Sequence, residues 1–535
     1  MEVLRDSSVG SLLRLTKAGR RLLPHPEERD DFQLPPIYLS DAPAESTAAK
    51  DVLTVNWYTD DDPENPHNWP LAKKIWVSLL LAVYSFTAYL GSSIYTPSTA
   101  GIEQHFGISE TVALLGLSLF VFGYGLSPLV FSPLTEIPAI GRNPPYAVTF
   151  SLFALLTIPA ALIDSLPGIF VLRFLLGLLA SPALSTVGAS YGDYIGPAYA
   201  GYMITVWASC AALAPSLAPL IAGFAVEKET WRWSFWELLW LAVPVAVVLV
   251  LTLPETSADT ILLRRAQRLR KRTGRTDLQS ASEIRQHNMH FGTIAYNALA
   301  KPWQINALDP AVLFSTVYMA LAYGTYYSFF ESFPLVFTGI YGFDLGGIGL
   351  AFVSSLTGVV VATVVITAFN YFVQSQRFQK ADALPPPEVQ LQLGLFASFL
   401  LPIGLFIFGM QALPFQKETP TNSPAWTSRP SIHWIVCMVG VAITSCGIII
   451  VTQAVLNYLP FTYPRYAGSL FAANTASRCL FAGAAVLFSP PLFRNLGIGG
   501  GVSLVAGLSI VCAFGLFALY LWGANLRRRS RFAGS

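Results

Sequence analysis

The sequence predicts an all-α polytopic membrane protein with twelve transmembrane helices in two sets of six. Hydrophobic residues make up 53% of the 535 residues and charged residues only 12%, whereas an average soluble domain has about 25% charged residues. Apolar stretches of about twenty residues recur, and each is long enough to cross about 30 Å of hydrocarbon. A polar interval separates the two sets. This pattern excludes an ordinary cytosolic enzyme.

Apolar length and bounding turn residues place the predicted spans. The first set covers 75–95, 112–131, 146–163, 169–187, 203–226 and 235–253. The second set covers 311–333, 348–369, 391–410, 432–453, 468–487 and 502–522. The predicted regions are an N-terminal tail (1–74), a six-helix half (75–253), a basic linker (254–309), a second six-helix half (310–523) and a C-terminal tail (524–535).

Basic residues orient the predicted spans. An even number of crossings places the two tails and the linker on one side, which carries 26 Lys and Arg residues against five on the other side. The positive-inside rule makes the richer side cytoplasmic. We therefore expect a multi-pass protein of the cell (plasma) membrane, surrounded by the lipid bilayer, with both termini in the cytoplasm. The net charge of +2 is too small to indicate a nucleic-acid partner.

The linker contains seven Lys and Arg residues between positions 264 and 275. Residues 257–272 could form a basic amphipathic helix on the anionic inner leaflet, where each basic residue contributes about 1 kcal/mol. A solvated cytoplasmic linker is the alternative, and the sequence leaves both open.

Motifs of enzymatic chemistry are weak. The five cysteines lie in apolar stretches without a CxxC pair, which indicates neither a zinc site nor a disulfide framework. The segment GASYG at 188–192 fits G-x-S-x-G, but a nucleophile elbow needs a preceding strand, and here a membrane helix precedes it. No GxxxxGK[ST] phosphate loop occurs. We predict no metal, no cofactor and no enzymatic activity, so the energy for any transport should come from an ion gradient.

Three charged residues lie inside predicted spans, where a charge costs about 2.5 to 3.5 kcal/mol and usually faces water or a partner. They are Arg173, Glu331 and Arg478. An arginine remains protonated, so it could hold an anion or tune a carboxylate but not carry a proton. The alternative for Arg173 and Arg478 is a buried ion pair or a carbonyl-bonded arginine that fixes packing. For Glu331 the choice is between a desolvated proton-exchanging carboxyl group and a wetted group near the helix end.

Aromatic residues crowd the predicted seventh span around Glu331. Tyr326, Tyr327 and Phe330 suit the wall of a site for a large, flat and mostly apolar ligand. Asn474 in the eleventh span could add a polar group to such a pocket. The alternative is that most of these aromatic residues face lipid or the membrane interface.

Several segments carry motifs of one family. They are DPENPHNWP (62–70), SPLTEIPAIGRNPPY (132–146), RFLLG (173–177), PETSADTILLRRAQRLRKRTG (254–274), FFESFP (329–334) and YPRYAGSLFAANTASR (463–478). Together they resemble the major facilitator superfamily and, within it, the fungal twelve-span drug:proton antiporters of the fluconazole and benomyl multidrug resistance type. The resemblance covers nearly the whole chain. It implies two six-helix bundles around a central cavity, with inverted repeats inside each half.

The resemblance also implies roles for single residues. The RFLLG segment resembles a span-four arginine motif that this family associates with proton coupling, which gives that role to Arg173. Glu331 and Arg478, the other charged residues inside predicted spans, complete the predicted proton-coupling set. Glu136 takes the place of the loop aspartate of the superfamily, and Arg142 that of a loop arginine, although the spacing differs by two residues. The residues with a conformational or gating role are Glu136, Arg142, Asp193, Pro215 and Pro219.

The fifth span departs from the family pattern. Its antiporter motif is normally rich in Gly-Pro, and here alanines at 214, 218 and 222 replace most of the glycines, while Pro215 and Pro219 remain. Two prolines four residues apart among small residues predict a kinked, closely packed helix that suits a gate.

The resulting hypothesis is a proton-coupled efflux carrier for amphipathic or aromatic small molecules, which we expect to act as a monomer. The substrates would be either a range of drugs or one toxic secondary metabolite, since both need the same aromatic cavity. A proton-coupled uptake carrier for a nutrient or polyamine shares the fold and is the alternative. A receptor or membrane enzyme is a third hypothesis, which the two matched sets of spans disfavour.

Overall fold

Helices dominate the fold. A computed structural model describes residues 2–29, 32–33, 35, 53–287, 296, 299–374, 376, 386–411, 433–463 and 467–532. Within these residues the only sheet has two short parallel strands, β1 (Leu53–Val55) and β2 (Leu278–Ser280), in the register Leu53 to Leu278. The predicted all-α fold is confirmed.

Among the described residues, twelve long helices form the membrane region. The first six are α1 (Leu71–Ser93), α2 (Glu110–Leu126), α3 (Asn143–Leu162), α4 (Leu166–Ala180), α5 (Pro197–Lys228) and α6 (Trp233–Thr252). The next four are α7 (Pro310–Phe333), α8 (Val353–Phe369), α9 (Gln392–Gln411) and α10 (Ile435–Thr462). The last two are α11 (467–496) and α12 (498–529), which meet at Gly497 with φ 71°. We call α1–α6 the N-half and α7–α12 the C-half.

Shorter segments extend or connect these helices. The α-helical ones are Glu2–Arg5, Ser8–Leu13, Lys17–Leu22, Thr99–Phe106, Pro128–Thr135, Pro182–Ser185, Val187–Tyr194, Ala258–Thr273, Ala281–His287, Lys301–Leu308 and Leu345–Ala351. Short 3₁₀ or π turns cover Pro26–Glu28, Pro66–Asn68, Thr96–Ser98, Pro334–Thr338, Asn370–Gln374 and Pro387–Leu391.

The count of crossings depends on two breaks. In the described residues, ten helices are long and apolar enough to cross a membrane, and Lys301–Leu308 joined to Pro310–Thr338 is an eleventh candidate, bent by 99°. One of the ten, Leu470–Arg529, contains the break at Gly497. Counting both sides of that break gives twelve crossings. The tails and the linker then lie at one face, the terminal face, and the other is the opposite face.

Local sequence explains why helices form and end where they do. A backbone in lipid has no water to bond, so each crossing must satisfy its own hydrogen bonds as a helix. Asp309 caps α7 by accepting hydrogen bonds from the backbone N–H groups of Ala311 and Val312. Gly107 ends the helix Thr99–Phe106 in the left-handed conformation, with φ 63°.

Two helices extend beyond their predicted ends. α10 continues to Thr462, past the predicted end at 453, and α11 reaches position 496 rather than 487. The extension of α10 contains polar residues such as Asn457 and also Pro460, which end an apolar stretch in the sequence. They do not end the backbone helix, because its hydrogen bonds continue beyond the hydrocarbon. The regional boundaries at 74, 253, 309 and 523 stay predictions.

The hydrophobic core divides unevenly between the two faces. One cluster of buried side chains joins the N-half to the opposite-face part of the C-half, including Phe333, Phe408 and Val502. A separate cluster holds the terminal-face part of the C-half, including Val312, Val455 and Leu519. The halves therefore share an apolar core near the opposite face, and the terminal-face part of the C-half has its own core.

The linker helix, Ala258–Thr273, packs against the N-terminal tail. Arg265 is 1% exposed and forms ion pairs with Asp62 at 2.6 Å and with Glu64 at 2.9 Å. Burial acts to raise the pKa of Asp62, but hydrogen bonds from Arg265 and from the Tyr58 N–H hold the pKa below its ordinary value. The pKa of Glu64 is also lowered, because His25 and nearby arginines outweigh desolvation. Neither a helix on the lipid surface nor a solvated linker describes this segment sufficiently, because carboxylates of the tail, rather than lipid or water, neutralise Arg265.

Candidate functional site

Arg173 is fully buried inside the N-half. Its guanidinium donates hydrogen bonds to the backbone carbonyl oxygens of Gly91 at 2.8 Å, Ser92 at 3.0 Å and Gly116 at 3.0 Å. Its guanidinium carbon lies 4.5 Å from the ring centroid of Phe120. These contacts connect α4 to α1 and α2. Arg173 is thus a carbonyl-bonded arginine that fixes helix packing, which is one of the two alternatives given above for this residue.

Gly177 lies one turn after Arg173 on the same helix and allows this packing. A Cβ atom at position 177 would lie 2.1 Å from the carbonyl oxygen of Phe120 in α2. Only glycine fits so close to a neighbouring backbone. The arginine and the glycine therefore hold α4 against α2 together.

A chain of hydroxyl groups crosses the junction between the halves. Tyr327 in α7 lies 3.0 Å from the Ser92 hydroxyl in α1 and 2.9 Å from the Tyr124 hydroxyl in α2. Tyr124 also lies 2.7 Å from the hydroxyl of Tyr323 in α7. We call Tyr124, Tyr323 and Tyr327 the tyrosine junction. Where the sequence analysis expects a central cavity, side chains of the two halves are in direct contact in this conformation.

Arg478 in α11 lies beside the tyrosine junction. Its guanidinium carbon is 5.0 Å from the ring centroid of Tyr323, and Tyr89 also interacts with its side chain. The residue is 9% exposed, and its Nε atom has no hydrogen-bond partner among the described residues. Within the same residues no carboxylate lies within 4.0 Å of it. In the part of the chain that the structure describes, Arg478 is therefore a buried cation without a counter-ion.

Glu331 lies one turn beyond Tyr327 towards the opposite face. The side chain is 6% exposed, and its Oε1 atom has no hydrogen-bond partner among the described residues. The charged group that acts on it electrostatically is Glu110 at the start of α2, which has the same sign. Glu331 is near the end of α7, yet it is buried rather than wetted.

The predicted pocket residues do not all meet. Phe330 packs against Tyr327 and Phe352, with ring centroids 5.4 and 5.1 Å apart. Tyr326 bonds the Ser216 hydroxyl of α5 at 2.6 Å. Asn474 instead lies one turn before Arg478, where its amide donates a long 3.4 Å bond to Thr316 on α7. These buried aromatic residues face protein rather than lipid.

Polar and close contacts join the halves at the opposite face. Glu110 and Arg494 form an ion pair between α2 and the end of α11. Glu227 at the end of α5 accepts a 2.8 Å hydrogen bond from the backbone N–H of Gly346. A Cβ atom at Gly349 would lie 2.7 Å from the carbonyl oxygen of Pro219. The opposite face is thus closed between α5 and the start of the α8 region.

The two prolines lie inside a continuous α5. Pro215 and Pro219 both fall within Pro197–Lys228. The alanines at 214, 218 and 222 are fully buried, so they provide the close packing that the sequence suggested. The gating role of the two prolines remains a prediction.

The predicted loop residues form one ion pair at the terminal face. The Arg142 side chain contacts the Asp193 carboxylate at 2.5 and 3.1 Å. Glu136 is exposed and has no ion-pair partner within 4.0 Å among the described residues. Instead Glu255, after α6, accepts hydrogen bonds from the backbone N–H groups of Arg142 at 3.0 Å and Asn143 at 3.3 Å. Glu255, rather than Glu136, holds this loop.

A cavity of about 470 Å³ lies away from the junction. It opens between α7 and α12 at the terminal face and is lined by Phe314, Trp522 and Arg529, among others. Its position does not coincide with the predicted site.

Comparison with known proteins gives the family. The Major Facilitator Superfamily model matches residues 81–487. The chain belongs to the Major Facilitator Superfamily. The MFS-type transporter pyvG of Aspergillus violaceofuscus is 40% identical over 99% of both chains. The cycloheximide resistance protein of Candida maltosa is 35% identical, also over 99% of both chains.

Solved structures of the superfamily share the fold. The proton:xylose symporter XylE, bound to 6-bromo-6-deoxy-D-glucose, superposes with a TM-score of 0.59. The match covers 84% of this chain and 97% of XylE at 12% identity. At that identity the likeness concerns the fold alone. The family match and the similar transporters, together with the apolar helices, make this chain of the Major Facilitator Superfamily a multi-pass membrane transporter that binds a small molecule.

Sequence reasoning missed three parts of this superfamily member's site. Tyr124 lies in a glycine-flanked FGYGL segment that reads as simple helix packing, and Ser92 lies in a small-residue stretch. The Glu110–Arg494 pair joins residues 384 positions apart. No local pattern in the sequence could show that these residues meet. The position of Tyr124 between two glycines of a membrane helix was the one local feature that could have indicated a functional residue.

Proposed function

We propose that the chain is a proton-coupled secondary active exporter of amphipathic or aromatic small molecules, either drugs or a toxic secondary metabolite. The observation that carries this proposal is Glu331, a buried carboxyl group without a hydrogen-bond partner for Oε1 among the described residues, one turn from an aromatic contact between the two halves. The names of the relatives support export, since one is a cycloheximide resistance protein and another a fluconazole resistance protein.

The proposed cycle is alternating access between the two faces. The shared core and the Glu110–Arg494 pair favour a conformation closed at the opposite face. Substrate would enter from the terminal face, between halves whose cores are separate there. Rupture of the opposite-face contacts would then release it on the other side. Tyr326, Tyr327 and Phe330 would contact the substrate, while Arg142 and Asp193 would hold the terminal face of the N-half.

The proton would bind Glu331. A carboxylate that is buried without a partner is unstable, and protonation removes this cost. Access from the opposite face would load the proton, and its movement inward would gain about 2.3 kcal/mol per 100 mV of membrane potential. Arg173 would act indirectly, because its bonds fix the segment of α1 that carries Ser92.

We further propose that the chain works as a monomer in the plasma membrane, with both termini cytoplasmic, and is not an enzyme. The 26 to five distribution of basic residues supports this orientation. A single chain supplies both sides of the tyrosine junction. The GASYG segment lies in the helix Val187–Tyr194 and so lacks the strand that a nucleophile elbow needs.

A vesicle experiment tests the coupling. In proteoliposomes, an imposed pH gradient should drive accumulation of a fluorescent aromatic substrate by the wild type. Glu331→Gln should lose most of the gradient-driven rate, because glutamine keeps the size of the side chain but cannot bind and release a proton. Glu229→Gln, an exposed residue at the opposite face, is the matched control and should retain the wild-type rate.

The direction of transport is tested in the same vesicles. Gradient-insensitive transport, or an undiminished rate in Glu331→Gln, would contradict proton coupling through this residue. Movement of substrate with the proton rather than against it would instead indicate an uptake carrier.

A further inference from the structure

Arg478 combines two features among the residues that the structure describes: no carboxylate lies within ion-pair distance of its guanidinium, and its Nε atom has no hydrogen-bond acceptor. Arg265 has three carboxylate partners and Arg173 has three carbonyl partners. A guanidinium removed from water loses its hydration and needs acceptors in return. Among the described residues Arg478 therefore lacks a charged acceptor, and its Nε atom has no acceptor at all.

The groups around Arg478 are neutral. Tyr89, Tyr124 and Tyr323 surround it, together with the Cys479 thiol. Tyr89 and Cys479 hydrogen-bond to its side chain, but among the described residues none of these neighbours carries the negative charge that would balance the guanidinium. In this conformation the hydroxyls of Tyr124, Tyr323 and Tyr327 bond one another. Separation of the halves in the proposed cycle would move Tyr124 away from the other two, because it belongs to α2 and they belong to α7. Each freed hydroxyl then has a proton to donate, beside a guanidinium that can only donate.

The acidic group of the site lies elsewhere. Glu331 is one turn beyond Tyr327 and two beyond Tyr323 along α7, and it is not within 4.0 Å of Arg478. The guanidinium is thus not neutralised by the carboxyl group that the proposed proton would occupy. The electrostatic character beside the tyrosine junction is positive throughout the proposed cycle.

We propose that Arg478 and the tyrosine junction form a subsite for an acceptor or anionic oxygen on a flat aromatic substrate. The exporter would then select weakly acidic or carbonyl-rich aromatic molecules over cationic ones. This inference rests on the proposed function only for the export of the bound molecule. The binding preference itself does not depend on proton coupling. The tyrosine rings would stack on the aromatic body, and the guanidinium would take the oxygen in a charge-assisted hydrogen bond.

Two xanthene dyes of similar shape and opposite charge provide the test. Fluorescein is an anion at neutral pH and rhodamine 123 is a cation. Binding of each to the purified full chain in detergent is measured by fluorescence anisotropy at pH 7.4, without any gradient. The wild type should bind fluorescein about tenfold or more tightly than rhodamine 123, because charge complementarity sets specificity.

Substitutions then locate the preference. Arg478→Gln should raise the Kd for fluorescein about tenfold and leave that for rhodamine 123 unchanged or lower, as a buried charge-assisted bond predicts. Arg275→Gln removes the same charge from an ion pair with Asp277 at the terminal face and should change neither Kd. If Arg478→Gln does not fold, Arg478→Lys and Tyr124→Phe replace it. Each should weaken fluorescein binding selectively, by about threefold or more.

Several outcomes would overturn the inference. They are equal affinity for both dyes, preference for rhodamine 123, binding of neither dye by the wild type, and equal loss of both dyes in Arg478→Gln, which would indicate a purely structural arginine. The two proposals fail separately. If the dye preference is retained but transport does not depend on pH, proton coupling is contradicted and the subsite is supported. If coupling is intact but the preference is absent, only the subsite is contradicted.

Discussion

Arg173 and Arg478 are the same side chain in two different surroundings. Both are buried in membrane helices, and neither has a carboxylate partner within 4.0 Å among the described residues. Arg173 donates to three carbonyl oxygens of its own half, whereas Arg478 stacks on Tyr323 and keeps a free Nε. The difference teaches that burial of a charge does not by itself identify a functional residue. Unused hydrogen-bonding capacity at the junction of two moving halves is the more informative property.

The tail–linker cluster supplies a third surrounding. Arg265 is as buried as Arg173, but carboxylates of the tail neutralise it. The three arginines thus form a series from carboxylate-paired through carbonyl-bonded to unpaired, and their substitutions should differ in effect.

The largest effect is expected for Arg173→Met. The variant loses three hydrogen bonds from a charged donor, each worth about 1.5 to 3 kcal/mol, and leaves three carbonyl oxygens with fewer partners. We expect a loss of stability of about 4 kcal/mol or more, measured as a fall in the thermal unfolding midpoint in detergent. Arg173→Lys should recover only part of the loss, because one ammonium group cannot match the planar fork. A wild-type midpoint for Arg173→Met would show that these bonds are not structural.

The second effect is expected for Arg265→Met. The substitution leaves Glu27, Asp62 and Glu64 buried near one another without Arg265, at a cost of about 3 to 5 kcal/mol. The tail should detach from the linker helix, with faster hydrogen exchange in Ala258–Thr273, while the membrane helices keep their unfolding midpoint. Arg285→Met removes an exposed pair with Asp259 and should change little. Unchanged exchange in Arg265→Met would contradict the assigned role of the ion pairs.

Acid should reproduce part of that second effect. The pKa values of Asp62 and Glu64 are lowered in the folded cluster, so their contribution is complete above the unfolded-state pKa of about 4. It should decline as the pH falls below that value and vanish below the lowered folded pKa. Hydrogen exchange of the linker helix between pH 7 and pH 3 measures this, with Arg265→Met as the reference. Protection of the linker helix that stays the same or increases as the pH falls to 3 would contradict the sign of these shifts.

The smallest effect is expected for Arg478→Met. Removal of an unpaired buried charge relieves its desolvation cost and offsets the lost stacking on Tyr323, which is worth about 0.5 to 2 kcal/mol. The thermal midpoint should change by the equivalent of about 1 kcal/mol or less, in either direction. A fall as large as that of Arg173→Met would mean that Arg478 is structural as well, and the contrast between the two residues would be lost.

Much of the fold was predictable because it follows from one-dimensional patterns. Apolar stretches of membrane length gave the twelve crossings, and the Arg142–Asp193 contact follows the loop pattern that the resemblance supplied. The place of Glu136 was not predictable in the same way. Its charge and its place before Arg142 suggested that Glu136 is the carboxylate that holds the loop. Glu255, which follows α6, accepts the hydrogen bond from the backbone N–H of Arg142 instead. The folded path of the chain after α6 decides which carboxylate reaches this loop.

The sequence by itself determined that this chain is a helical membrane protein and which charges interrupt its apolar spans, because hydrocarbon thickness and the cost of a charge act on each segment alone. Tertiary structure decided what those charges do. Only packing of distant helices brought Gly91, Ser92 and Gly116 to Arg173 and set Tyr124 beside Tyr323. The same packing left Arg478 without a carboxylate partner among the described residues. Hydrogen bonds act over about 3 Å, so the partners of each buried group depend on the positions of helices that lie far apart in the chain.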